Sequence, residues 1–197
     1  MFKLFNSRPQ KTDNELIMLK NTLENGMYYD AAEAAKALVE RGDYSCREIM
    51  IARMQDHRMA VPLSRIPDES VMIPLILAIS KYAILNLSVS TGNESFSPFD
   101  VSQIFRNLAQ NFQDRAYAYL AEIRDYHFFF MKDGRLLYMQ GSRSLNKHLD
   151  RPDLIAQCAR DVLRSIPEER IQAAVNNEKQ NYQYAGNMSR SEILSLL

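Results

Sequence analysis

The sequence predicts a mainly α-helical fold: a multi-helix bundle around a buried central helix at about 71–89 and a long helix at about 98–126, with one small β-hairpin at about 127–140. Three observations predict it. The segment VMIPLILAISKYAILNLSV is the most apolar in the chain and, wound as a helix, is hydrophobic on almost every side. From Pro98, apolar residues recur at helical spacing as far as Ile123. At about His127 the period changes, and Asp133-Gly134 stands between two aromatic-rich runs, the strongest short-range hairpin signal.

The central segment belongs in a protein core rather than a bilayer. Pro74, Ser80, Lys81, Asn86 and Ser88 interrupt it, and a lysine at mid-membrane costs on the order of 3 kcal/mol. At 197 residues with 46% hydrophobic content, the chain suits one domain with a sizeable core. The expected division is a mobile segment over residues 1–11 and a single α-helical domain over 12–197. Lysine plus arginine equals aspartate plus glutamate, 24 each, which removes a global electrostatic case for nucleic acid or an anionic membrane. Two cysteines without metal or redox spacing, and an N-terminus with no secretory signal, point to a cytoplasmic protein.

Each helix carries its own signal. Thr12 and Glu15 have capping-box spacing ahead of Leu16, Leu19 and Leu23, and Asn25-Gly26 closes that helix with a left-handed glycine. Asp30 caps an alanine-rich helix running to Gly42, whose small residues admit a close neighbour. Ser45 and Glu48 open a third helix to about Ala60, placing Cys46, Met50, Met54 and His57 on one element. This stretch has the look of a tetratricopeptide-type helical hairpin, but no recurring period supports a repeat array. Pro74 either falls in the first turn of the central helix or kinks it. Ser97-Pro98-Phe99-Asp100 gives a cap, a proline at the first helical position and an acid at the third. That helix is expected to run about 28 residues, roughly 42 Å. In the hairpin, a two-residue turn pairs Lys132 with Arg135, Phe130 with Leu137 and Phe128 with Met139, so both faces are apolar and need cover. Asp150-Arg151-Pro152-Asp153 starts a helix to Ser165, and Pro167-Glu168-Glu169 another whose polar later part Gly186 closes. Ser189 and Glu192 cap a short last one.

The six glycines include no phosphate-loop spacing, and there is no HExxH, CxxC, GxSxG or paired ExxH. No cofactor and no metal are expected, and the balance favours a protein that is not an enzyme. Glu122 and Asp125 share a helix face and read as a solvated surface. The leading expectation is a protein–protein interaction module, an adaptor, chaperone-like subunit or component of an intracellular assembly, whose partner is another protein or a second copy. It docks through Phe128, Phe130, Leu137 and Met139 of the hairpin, with Met50 and Met54 as a second soft surface. Segment 132–151 is basic and beside aromatics, the pattern of a nucleic-acid surface, although the neutral overall charge argues against that partner. Arg143 and His148 stand five apart in sequence and resemble the short signature of the helical HEPN ribonucleases. That resemblance covers six residues and implies metal-independent RNA cleavage with Arg143 and His148 acting on phosphate.

Overall fold

The computed structural model describes residues 9–54, 57–85, 96–141, 151–186 and 188–196, and the chain divides into two units, Met1–Ile66 and Pro67–Leu197. The architecture is mainly α, with ten α-helices and one small sheet among the described residues.

In the first unit, α1 (Pro9–Asn25) pairs with α2 (Tyr28–Glu40), followed by α3 (Arg47–Ala52), a 3-10 turn (His57–Met59) and α4 (Ala60–Ser64). Ala31, Ala32, Ala34 and Ala35 of α2 are buried with Leu38 and Val39, so the alanine-rich face is where neighbours approach. α2 ends in a Schellman motif: Asp43 N–H donates to the Leu38 carbonyl (3.0 Å), Gly42 N–H to the Val39 carbonyl (2.9 Å), and Gly42 has φ +73°. Gly26 closes α1 for a different reason from the one expected. A Cβ there would stand 2.4 Å from the Thr22 carbonyl oxygen, so close approach requires glycine. The third helix stops at Ala52, well short of Ala60, because the chain turns at Arg53 and sends that side chain back to α1. Its guanidinium donates to the carbonyls of Leu23 (2.6 Å) and Glu24 (3.1 Å), orphan acceptors of α1's last turn, and to that of Gly26 (2.9 Å) just beyond it.

In the second unit, Asp68 caps a 3-10 turn (Glu69–Val71) that leads into α5 (Met72–Leu85), with Pro74 in its first turn, one of the two placements open to it. Residues 86–89, the expected end of this helix, lie outside the described residues. α6 (Pro98–Phe112) opens with the capping box read from sequence: Asp100 N–H donates to Ser97 Oγ and Ser97 N–H to Asp100 Oδ2, both at 3.1 Å. The single long helix to residue 126 is not formed. Gln113 adopts φ 45°, ψ −121°, and the chain restarts as α7 (Asp114–Arg124). The break lets α7 bury Ala116, Tyr117, Ala118, Tyr119, Leu120, Ala121 and Ile123, nearly all round its axis. α7 packs on α6, α8 (Arg151–Leu163), α9 (Glu168–Glu178) and β1 (His127–Lys132), so it is the most enclosed helix of this unit.

β1 and β2 (Arg135–Gln140) form the expected hairpin in the expected register, Phe128 opposite Met139, Phe130 opposite Leu137 and Lys132 opposite Arg135. Asp133 (φ 50°) and Gly134 (φ 73°) make the turn, both left-handed as a type I′ turn requires. The polar stretch after α9 is not helix throughout. It ends in β3 (Gln183–Tyr184), which adds to β2 in parallel. A capping box of Ser189 and Glu192 then starts α10 (Arg190–Leu194).

Candidate functional site

The hairpin was expected to carry apolar surface on both faces, and the fold hides most of it. Phe128, Phe129 and Phe130 are all buried, at 1% exposure or less, because α5 and α7 both lie against β1. Phe128 and Phe130, expected on a contact surface, are core residues instead: the chain's own helices supply the cover that the doubly apolar ribbon needs. Leu137 and Met139 on β2 are half-buried. Met50 is fully buried, and Met54 follows the end of α3, half-buried. Cys46 caps α3 and His57 starts the 3-10 turn, so they do not share a helix. Both cysteines are free and buried, and Ser102 donates to Cys158 Sγ (3.2 Å). Arg143 and His148 lie outside the described residues, as does the rest of 142–150 within the basic segment.

Around Phe129 the structure assembles a polar and aromatic cluster that the sequence reading missed. Tyr119 of α7, Phe129, Tyr138 of β2 and Tyr182 stand with ring centroids 5.3–6.2 Å apart, and Tyr184 adds to Tyr138 at 5.5 Å. At its edge the half-buried carboxylate of Glu122 accepts from the Tyr182 hydroxyl (2.9 Å) and meets His127 Nδ1 at 2.6 Å. His127 Nε2 is 3.1 Å from Gln140 Oε1, and Gln140 Nε2 donates to the Asp125 carbonyl (3.3 Å).

These contacts set the charges. Burial pushes the Glu122 carboxyl up, but hydrogen bonds from His127 and Tyr182 outweigh it and hold the group below the usual carboxylate range. The hydrogen bond to Glu122 raises His127, with burial opposing. Burial first, then the neighbouring Glu122, pushes the Tyr182 phenol far up, and burial holds Tyr119 up at about 12. Glu122 and Asp125, read from sequence as one solvated face, therefore separate: Glu122 enters this network, while Asp125 pairs with Arg124 (3.2 Å).

A carboxylate bonded to imidazole Nδ1 is also the arrangement that orients a general base. Here it does not present one. A base needs a free lone pair on Nε2, and that nitrogen faces the oxygen of Gln140. Among the described residues no group of three or more histidine, cysteine, aspartate or glutamate side chains is placed to hold a metal ion. No described helix is long and apolar enough to cross a membrane.

Exposed apolar side chains occur singly in the second unit, at Phe99, Met131, Leu154, Tyr184 and Leu196, and are gathered in one stretch in the first. Ile17, Met18, Met27, Tyr28 and Tyr29 are 64%, 70%, 75%, 61% and 65% exposed, on α1 and at the start of α2. Ile17 and Met18 fall outside the Leu16, Leu19, Leu23 stripe, and Met27-Tyr28-Tyr29 follows the Asn25-Gly26 turn. That misfit between apolar residues and the helical stripe was the available signal.

Comparison with family models, curated proteins and solved structures returns no match.

Proposed function

We propose that the protein is a non-enzymatic interaction module that docks on another protein through the α1–α2 hairpin of its first unit. The observation that supports this reading is the exposure of Ile17, Met18, Met27, Tyr28 and Tyr29, all within one short stretch of two packed helices. Large exposed apolar groups gathered in one stretch mark interaction surfaces more often than scattered ones do. Tyrosine and methionine are also the residue types enriched at interfaces. Arg53 adds preorganisation. By holding three carbonyls of α1's last turn and the following glycine, it fixes the turn from which Met27, Tyr28 and Tyr29 project. A contact surface held rigid before binding loses less entropy on binding.

The test is a paired affinity capture using the full chain. A Met18→Asp/Tyr29→Asp double variant is expected to lose the protein that wild type retains, while Leu137→Asp on the hairpin keeps it. Both double-variant sites are exposed, so folding is expected to survive, with circular dichroism as the check. Retention unchanged by the double variant, or no protein retained by wild type, sinks the reading.

A further inference from the structure

His127 stands at the open end of the hairpin, next to the last residue of the turn that follows α7. Both of its ring nitrogens face oxygen. Nδ1 faces the Glu122 carboxylate, which only accepts. On the other side the Asp125 carbonyl also only accepts, so the Gln140 amide must turn its NH2 to Asp125 and its oxygen to His127 Nε2. An imidazole meets two acceptors with two N–H groups only when it is protonated. The ring packs against the Tyr138 ring, with centroids 4.9 Å apart and planes inclined at 52°.

We propose that His127 is a proton-dependent latch: as an imidazolium it ties α7 to the open end of the β1–β2 hairpin, and loss of its proton releases the tie. The release follows from hydrogen-bond accounting. A neutral ring keeps one N–H. If that hydrogen stays toward Glu122, the Nε2 lone pair opposes the Gln140 oxygen. If Gln140 flips to offer its NH2, its oxygen then opposes the Asp125 carbonyl. If the hydrogen moves to Nε2, the Nδ1 lone pair opposes the Glu122 carboxylate at a separation of 2.6 Å. Each neutral arrangement leaves one acceptor facing another.

The charged groups around the ring favour the closed latch. From α7 and its end come Glu122 and Asp125, both of which favour the cation. Tyr138 of β2 packs against the ring, and Tyr182 donates to Glu122. Lys179, after α9, acts on Glu122 and helps to keep it ionised. The two limits have opposite signs. Because His127 is raised in the fold, its contribution is complete below the unfolded value of about 6.5 and is lost as pH rises through the folded value. Because Glu122 is lowered, its contribution is present above about 4.3 and is lost as pH falls through the folded value. The latch is therefore closed between those limits and opens on either side.

The neighbouring amide of Gly141 reports the state, since it donates to the Tyr126 carbonyl (2.6 Å) across the same end of the hairpin. Imidazole titration by NMR on the full chain, assigned with His127→Gln, is expected to place the His127 midpoint above 6.5. Gly141 protection against exchange, corrected for the intrinsic rate, is expected to fall about tenfold across that midpoint and to be flat in His127→Gln. In Glu122→Gln, midpoint and protection change should move to lower pH together, a shift that a purely structural contact would not give. This second variant decides the matter if His127→Gln does not fold. A midpoint at or below 6.5, or protection that ignores it, overturns the latch.

Discussion

Ser80 is the buried polar side chain for which the described residues provide no hydrogen-bond partner. It sits on the covered face of α5 with 0% exposure, beside Ile76, Ile79 and Ala83, so its hydroxyl has lost water and gained nothing. An unsatisfied buried hydroxyl costs about 1–3 kcal/mol, whereas a methyl in the same space costs almost none. Ser80→Ala is therefore expected to stabilise the protein by about 1 kcal/mol, read as a higher urea midpoint at unchanged slope. The same accounting separates Ser80 from Ser102, whose hydroxyl donates to Cys158, and from the caps Ser97 and Ser189.

At the scale of elements, the junction between α6 and α7 is the main local conflict. Gln113 holds φ 45° and ψ −121°, a region that glycine enters freely and other residues enter at a cost of about 1–3 kcal/mol. The strain is retained because the break places α7 among α8, α9 and β1. Gln113→Gly is expected to raise stability by about 1 kcal/mol, the relief of strain exceeding the entropy that glycine adds to the unfolded chain. A lower denaturation midpoint in that variant would show that the conformation carries no strain.

This junction also shows what the sequence made legible. Where a side chain acts on its own backbone, the reading holds at Ser97 with Asp100, Ser189 with Glu192, and Asp133-Gly134 with its strand register, but not at Asp30 or Ser45: α2 starts after Met27 and α3 after Cys46, neither with a side-chain cap. Where the deciding interaction comes from far along the chain, local pattern is silent. No proline or glycine announces the break at Gln113, and α3 ends at Ala52 because Arg53 reaches carbonyls 27–30 positions back. Of the candidate sites, the hairpin's apolar content was legible but its cover was not, since periodicity does not show which helices close over Phe128 and Phe130. The Glu122–His127–Gln140 set was half visible: the register that pairs Phe128 with Met139 also pairs His127 with Gln140, while Glu122 arrives only through the turn at Tyr126, φ 68°.

For the molecule as a whole, the second unit places neutral phenols where ionisation is costly. Tyr119 is held at about 12 by burial and by Glu178, and Tyr182 and Tyr138 are raised too. A group whose pKa is raised on folding contributes stability below its unfolded value, near 10, and loses it as pH climbs through the folded value. Urea midpoints are thus expected to fall steeply above pH 10, with Tyr119 alone accounting for on the order of 2 kcal/mol. Tyr119→Phe should make that alkaline decline shallower, and an unchanged slope would show that the ring ionises as freely in the fold as outside it.

The Arg53 clamp has a temporal consequence. On the ribosome, α1 and α2 emerge before the residue that caps α1, and until it arrives three carbonyls have no protein donor. The first turn of this chain is thus built early and finished late, so nascent α1 stays frayed at its end while later residues are still being added.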